Sequence, residues 1–259
     1  MRARCLLSLL VLTACAETQG SRWMATPLPD DPPPGAGPTR GARPRAREEV
    51  GPPTTPIDSA RAVDAGPRRV LGTFRNTYYD FPRATDHEGP PTPVFSADCR
   101  EIARVPRGFH DAVCVQGSGR LASGATISFA KRDCPCAEVC PRSGQKICFE
   151  ALDPARFPSG RGALGTAITP LRTVAVDPSV VPLGTRLFLP ELVGMPTSED
   201  GAGSHDGCVI AEDRGSRVKG QHLDLFTGSE AMTRLLNRRL PSNQGLTVIA
   251  GEPRCAVAR

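Results

Sequence analysis

The 259-residue sequence predicts a mainly β domain, a barrel or a sandwich. Two observations carry that expectation. Short runs of strand-forming residues recur between Gly and Pro punctuation, at Thr73–Tyr79, Ala112–Gln116, Thr126–Ala130, Arg172–Val176, Thr185–Leu189, Gly207–Ala211, His222–Phe226 and Leu246–Ala250. Only one helical pattern stands out among them. Thr227-Gly-Ser-Glu230 has capping-box spacing, Ala231, Leu235 and Leu236 make an apolar side, Arg234, Arg238 and Arg239 make a solvated basic side, and Pro241 ends it.

Composition narrows the class of protein. Lys and Arg number 32 against 27 Asp and Glu, a net charge of +5 without a concentrated basic face, which argues against a dedicated nucleic-acid binder. The first dozen residues are the only apolar run of any length, which excludes a multi-span membrane protein.

Those first residues read as an export signal. Arg2 and Arg4 precede the apolar stretch Cys5-Leu-Leu-Ser-Leu-Leu-Val-Leu12, which is too short to cross a bilayer. Leu12-Thr-Ala-Cys15 follows and resembles the bacterial lipoprotein box. The resemblance implies a signal peptide over 1–14, cleavage before Cys15, and acylation of Cys15 with more than one buried chain holding it at a membrane. Ala16 in place of Asp favours the periplasmic side of the outer membrane. From Ser21 to Arg68, 11 of the 27 prolines fall within 48 residues that have almost no aliphatic periodicity. Such a stretch cannot bury enough apolar surface to offset its ordering entropy, so 15–68 is expected to be the lipidated cysteine plus a disordered tether. At about 3.1 Å per residue in polyproline geometry it reaches on the order of 100 Å. Residues 69–259 remain, enough for one domain with a core.

With Cys5 in the signal and Cys15 acylated, eight cysteines are left: Cys99, Cys114, Cys134, Cys136, Cys140, Cys148, Cys208 and Cys255. An even number in an exported chain points to as many as four disulfides of unspecified pairing. The spacing Cys134-Pro-Cys136-Ala-Glu-Val-Cys140 matches no usual zinc pattern, so no metal is expected.

Residues able to do chemistry gather late in the chain. Ala211-Glu-Asp213-Arg-Gly leads to Lys219-Gly-Gln-His222-Leu-Asp224-Leu-Phe, and strand alternation turns Asp224 away from Leu223 and Leu225. There it faces solvent or a cleft. A carboxyl in an apolar-walled cleft has its pKa raised, as a general acid for glycoside cleavage requires. Asp177 precedes a turn, where an aspartate commonly caps nearby amides. No phosphate-cradling loop, His-Glu-x-x-His or Gly-x-Ser-x-Gly occurs, so no cofactor is expected.

The run Ala175-Val-Asp177-Pro-Ser-Val-Val-Pro-Leu-Gly184-Thr185, then Asp213-Arg-Gly, then Lys219-Gly-Gln-His-Leu-Asp224 resembles the three-aspartate domain, a double-psi β-barrel of bacterial wall-degrading proteins. Thr77-Tyr78-Tyr79-Asp-Phe-Pro82 and Val115-Gln116-Gly-Ser118-Gly-Arg-Leu121, in that order, resemble the membrane-bound lytic transglycosylase A family. The resemblance implies a double-psi barrel with one or two short helices and a Cys-rich insertion around 131–160, where the family carries a larger second domain.

It also implies roles. Asp224 corresponds to the family's catalytic acid, Asp213 to a supporting carboxylate, and Asp177 to a mainly structural aspartate. Tyr78, Tyr79, Gln116, Ser118, Lys219 and His222 become candidate contacts to sugar. The implied substrate is the peptidoglycan glycan strand, cut between N-acetylmuramic acid and N-acetylglucosamine to leave a 1,6-anhydro end. Two other readings stay open: a wall-binding lipoprotein without catalysis, and a glycan hydrolase on the same barrel.

Overall fold

The computed structural model describes residues 66–256. The signal segment, Cys15 and the tether up to residue 65 lie outside the described residues. So do 257–259. Among the described residues no helix is long and apolar enough to cross a membrane.

The described residues form eleven strands and two α-helices: β1 (Arg69–Tyr79), β2 (Pro91–Phe95), β3 (Glu101–Pro106), α1 (Arg107–Gln116), β4 (Ser118–Arg120), β5 (Thr126–Arg132), β6 (Ile147–Leu152), β7 (Thr173–Val176), β8 (Arg186–Phe188), β9 (Cys208–Asp213), β10 (His222–Phe226), α2 (Glu230–Arg239) and β11 (Leu246–Ala250). Six of them close a barrel in the order β1-β10-β7-β9-β8-β11. β1 with β10 and β7 with β9 are parallel; the other four pairings are antiparallel. This is the double-psi β-barrel, and closure leaves it no free sheet edge.

Alternation fills the barrel. Leu223 and Leu225 of β10 point inward with Val174 and Val176 of β7 and Ala211 of β9, all almost fully buried. Met232 and Leu236, one turn apart on α2, pack against the same core. Asn76 of β1 is a polar residue buried among them, at 0% exposure. Its amide donates to the carbonyl of Pro241 at 3.0 Å and its oxygen accepts from Gly245 N at 3.0 Å, so both ends are satisfied and the turn before β11 is fixed.

The segment between β1 and β7 builds a second lobe on its own core of Val94, Val105, Phe109, Val113, Ile127 and Phe149. It holds the β2–β3 hairpin, α1 and the sheet β4-β5-β6. The Cys-rich segment expected as an insertion around 131–160 is thus the later part of a larger lobe. Three disulfides stitch it, Cys99–Cys136, Cys114–Cys140 and Cys134–Cys148, while Cys208–Cys255 ties β9 to the turn after β11.

Two local expectations are corrected. Ala112–Gln116 is the second half of α1 and not a strand. Phe109 and Val113, four residues apart, bury one helical face, and Gly117 stops the helix at φ 81°. The cap of α2 is Ser229 and not Thr227: the Ser229 hydroxyl accepts from Met232 N at 3.1 Å, whereas the Thr227 hydroxyl donates to the carbonyl of Tyr79 at 2.9 Å.

Candidate active site

One row of residues crosses four neighbouring barrel strands. Thr77 of β1 is in register with Asp224 of β10, Asp224 with Ala175 of β7, and Ala175 with Asp213 of β9. Asp213 joins the row through a bulge. The register between β7 and β9 slips between Val174 and Ala175, so Glu212 is passed over and Asp213 lands opposite Ala175.

Asp224 is held at one oxygen. The Thr77 hydroxyl donates to Asp224 Oδ1 at 2.7 Å. Burial pushes the Asp224 pKa up to about 6, the negative charge of Asp213 adds to the rise, and the Thr77 bond and Arg75 oppose it. Asp213 is held at both oxygens. The phenol of Tyr79 donates to Oδ2 at 3.0 Å and Ala163 N donates to Oδ1 at 3.2 Å. Burial raises the Asp213 pKa as well, against the hydrogen bonds it accepts from Arg214 N, Tyr79 and Ala163 N. Tyr79 is itself pinned, its ring centroid 5.0 Å from that of Phe226 and its pKa driven well above the usual phenol value by burial.

Asp177 lies apart from this pair. It accepts from Ser179 N at 3.0 Å, from the Ser179 hydroxyl at 2.7 Å and from Gly220 N at 2.8 Å, so it joins the turn after β7 to the loop before β10. These donors, led by Gly220, lower its pKa to about 2.

Asp224, Ala175 and Asp213 of the row face a cleft of about 620 Å³ between barrel and lobe. Asp213, Asp224, Tyr79, Ala175 and Lys219 line it from the barrel. Gln116, Gly117, Ser118, Phe129, Arg132, Ser143, Gln145 and Ile147 line it from the lobe, and Arg161 and Arg214 border it from the connecting loops. The Cys-rich segment therefore forms a wall. Gly119 lets that wall seat closely, since a Cβ there would lie 2.8 Å from the Phe109 ring.

Of the expected sugar contacts, Tyr79, Gln116, Ser118 and Lys219 border the cleft, and Tyr78 and His222 do not. Tyr78 points to the barrel core and donates to the carbonyl of Leu240 at 2.6 Å. His222, 6% exposed, lies behind Thr77 with Nε2 2.9 Å from the Thr77 hydroxyl. Ser118 is itself buried and bonded to the Ser128 hydroxyl at 2.6 Å. Sequence reasoning missed Thr77, Arg132, Arg161 and Arg214. Thr77 stood inside a quoted motif, but its link to Asp224 spans 147 positions and only the parallel β1–β10 pairing supplies it.

The cleft thus presents one half-buried carboxyl whose pKa is raised to about 6, a second carboxylate two strands away with both oxygens engaged, and a cationic border. Residues 172–235, from the start of β7 into α2, match the family model described as the 3D domain, and they contain Asp177, Asp213 and Asp224. No curated protein matches the chain. Among solved structures, the chain is similar to MltA of E. coli with bound chitohexaose, 18% identical over 69% of this chain and 71% of that one, with a TM-score of 0.47. It is also similar to the membrane-bound lytic murein transglycosylase of Agrobacterium tumefaciens (18% identity, 70% and 73% covered, TM-score 0.46). A third is the lytic transglycosylase LtgG of Burkholderia pseudomallei (20% identity, 71% of each chain, TM-score 0.40).

Proposed function

We propose that the 3D domain of this chain is the catalytic part of a peptidoglycan lytic transglycosylase, with Asp224 as its single acid and base. The observation that carries the reading is the unequal tethering of two half-buried carboxyls: both oxygens of Asp213 are engaged, while Thr77 holds only one oxygen of Asp224. A pKa near 6 keeps a useful fraction of Asp224 protonated close to neutrality.

In the reaction proposed, Asp224 gives its proton to the glycosidic oxygen between N-acetylmuramic acid and N-acetylglucosamine, and the N-acetylglucosamine hydroxyl leaves. The resulting carboxylate takes the proton of the muramyl C6 hydroxyl as that oxygen bonds to the anomeric carbon. The product is a 1,6-anhydro ring. Asp224 ends as it began and no water is consumed, so no second carboxylate is needed to activate one. Asp213 supports the acid through its charge, and Tyr79, Gln116 and Lys219 contact the strand. Arg132, Arg161, Arg214 and Lys219 favour a substrate that bears carboxylates. The wider proposal includes export, acylation at Cys15 and a periplasmic position at the outer membrane, with residues 15–68 as tether.

The test is mass spectrometry of soluble products after the purified protein, folded under oxidising conditions, is incubated with peptidoglycan sacculi alongside Asp224→Asn. The expected result is anhydromuropeptides from the wild type and a loss of 10²–10⁴ in rate in the variant. Reducing-end products would make the protein a hydrolase. Binding to sacculi without release of product would make it a wall-binding protein.

A further inference from the structure

Thr77 Oγ1 lies 2.7 Å from Asp224 Oδ1 and 2.9 Å from His222 Nε2. A hydroxyl has one hydrogen to donate. The other ring nitrogen, Nδ1, lies 3.3 Å from the carbonyl oxygen of Arg217, which can only accept. Nδ1 therefore carries the imidazole hydrogen, and Nε2 of the neutral ring is an acceptor facing Thr77. Two acceptors meet one donor.

We propose that His222 is a positioning residue that competes with Asp224 for the single hydroxyl hydrogen of Thr77, and by taking it keeps Asp224 a proton-holding acid. When Thr77 donates to His222, Asp224 Oδ1 has no donor and the carboxylate form is disfavoured. When Asp224 has given up its proton, the hydroxyl rotates and donates to Oδ1, steadying the carboxylate until it is reprotonated. No proton leaves any residue in this exchange; only the direction of one O–H bond changes. The inference rests on the reading of Asp224 as the acid, but the competition itself is a property of three side chains.

The surroundings favour a neutral ring. Burial lowers the His222 pKa and the positive charge of Arg75 lowers it further. The charged and titratable groups that face Asp224 are Asp213 from β9 and Arg75 and Tyr79 from β1, and Arg75 bears on both partners. Arg75 therefore opposes charge on the ring while favouring charge on the carboxylate, and Asp213 does the reverse at the carboxylate.

The test is carboxyl ¹³C NMR titration of the protein labelled in aspartate, with the Asp224 signal assigned by its loss in Asp224→Asn. In the wild type the signal is expected to titrate near pH 6. His222→Phe frees the Thr77 hydroxyl for the carboxylate, and the midpoint falls by about one pH unit, the worth of a hydrogen bond to a charged group. In a Thr77→Val background the same His222→Phe change moves nothing. A shift that persists with Thr77→Val, or no shift in His222→Phe, overturns the proposal. ¹⁵N spectra of the His222 ring in the wild type decide independently of any variant: hydrogen on Nδ1 and a bare Nε2 support the competition, and hydrogen on Nε2 ends it. These readouts do not need turnover, so an inactive protein with the expected titrations would refute the enzyme reading and leave the competition standing. If the protein is active, the basic limb of its pH–rate profile moves down with the NMR midpoint in His222→Phe.

Discussion

Tyr79 reaches from β1 to the far end of the row that holds Asp224 and donates its phenolic hydrogen to Asp213 at 3.0 Å, three strands round the barrel. In the reaction proposed, Asp213 thereby serves as a fixed charge and not as a nucleophile. Removing that charge has a defined sign, because Asp213 raises the Asp224 pKa. Asp213→Asn is expected to lower the midpoint of the basic limb, so that activity falls more steeply at pH 7 than at pH 5. Tyr79→Phe leaves the charge and loosens its placement, and kcat is expected to fall about tenfold with little change in KM. Pre-steady-state rates across pH 4–8 check both.

Asp224 costs the folded protein stability once it ionises. Its pKa is raised from 3.8 to about 6 on folding, so the native state binds its proton more tightly than the unfolded chain does. Stability from this group is fully present below about pH 4 and lost as pH rises through about 6. Asp224→Asn is expected to stabilise the protein at pH 7 by as much as on the order of 3 kcal/mol and to change little at pH 3.5. Denaturant unfolding at the two pH values measures the difference.

Asp177 acts with the opposite sign. Hydrogen bonds from Gly220 and Ser179 lower its pKa from 3.8 to about 2, so its contribution is present above about pH 4 and is lost as pH falls through about 2. Asp177→Ala is expected to remove that stretch of acid sensitivity from the melting curve. It also releases the Lys219–Gly220 loop from β7, so KM should rise. Thermal melts between pH 2 and 5, with kinetics at pH 6, check the pair of outcomes.

The Cys208–Cys255 bridge closes a separation of 47 residues and joins β9 to the turn after β11. Replacing both cysteines by serine is expected to cost about 4 kcal/mol of stability by the loop-entropy relation. Urea unfolding of the double variant under non-reducing conditions is the measurement. Stability equal to the wild type would mean the unfolded chain is already constrained there.

Arg214 and Lys219 are exposed at the cleft border, so their attraction for substrate carboxylates is screened by salt. Arg214→Gln with Lys219→Gln is expected to raise KM several-fold on peptide-bearing strands at low ionic strength. At high salt the gap to the wild type should close, and peptide-free chitin oligomers should show little of it. Initial rates on the two substrates at two salt concentrations give the comparison.

The barrel was largely legible because its strands obey a simple rule. His222–Phe226 and Leu246–Ala250 are runs of strand-forming residues set between glycines, and both form strands with those bounds. Ala112–Gln116 misled because Val113 and Val115 are β-branched, while the partner that makes the stretch helical, Phe109, lies four residues upstream of Val113. The β2–β3 hairpin went unseen because Pro91, Pro93 and Pro106 argue against a strand, although they are tolerated in a two-stranded edge ribbon. Asp213 and Asp224 stood out in the dense late stretch of reactive residues, and the motif resemblance gave them their roles. Their shared row, the donor Thr77 and the lobe's wall of the cleft come from pairings about 40 to 150 residues apart, which no local pattern encodes. The cysteine count was readable and the pairing was not, since crossing bridges depend on the folded lobe.

The parallel pairing of β1 with β10, and the closure of β1 by β11, also govern when the site exists. The lobe draws on a contiguous stretch and its contacts are local, so it can condense early as the chain emerges. The row from Thr77 to Asp213 cannot. It waits for Phe226 to dock beside Tyr79 and for Leu246–Ala250 to seal the ring, so Asp224 reaches its place only after β10 and β11 have been made. A chain interrupted before that point carries a finished wall and no acid behind it. For a protein proposed to cut the polymer that encloses its own cell, the topology works as a safety catch, released only once β11 has joined the ring.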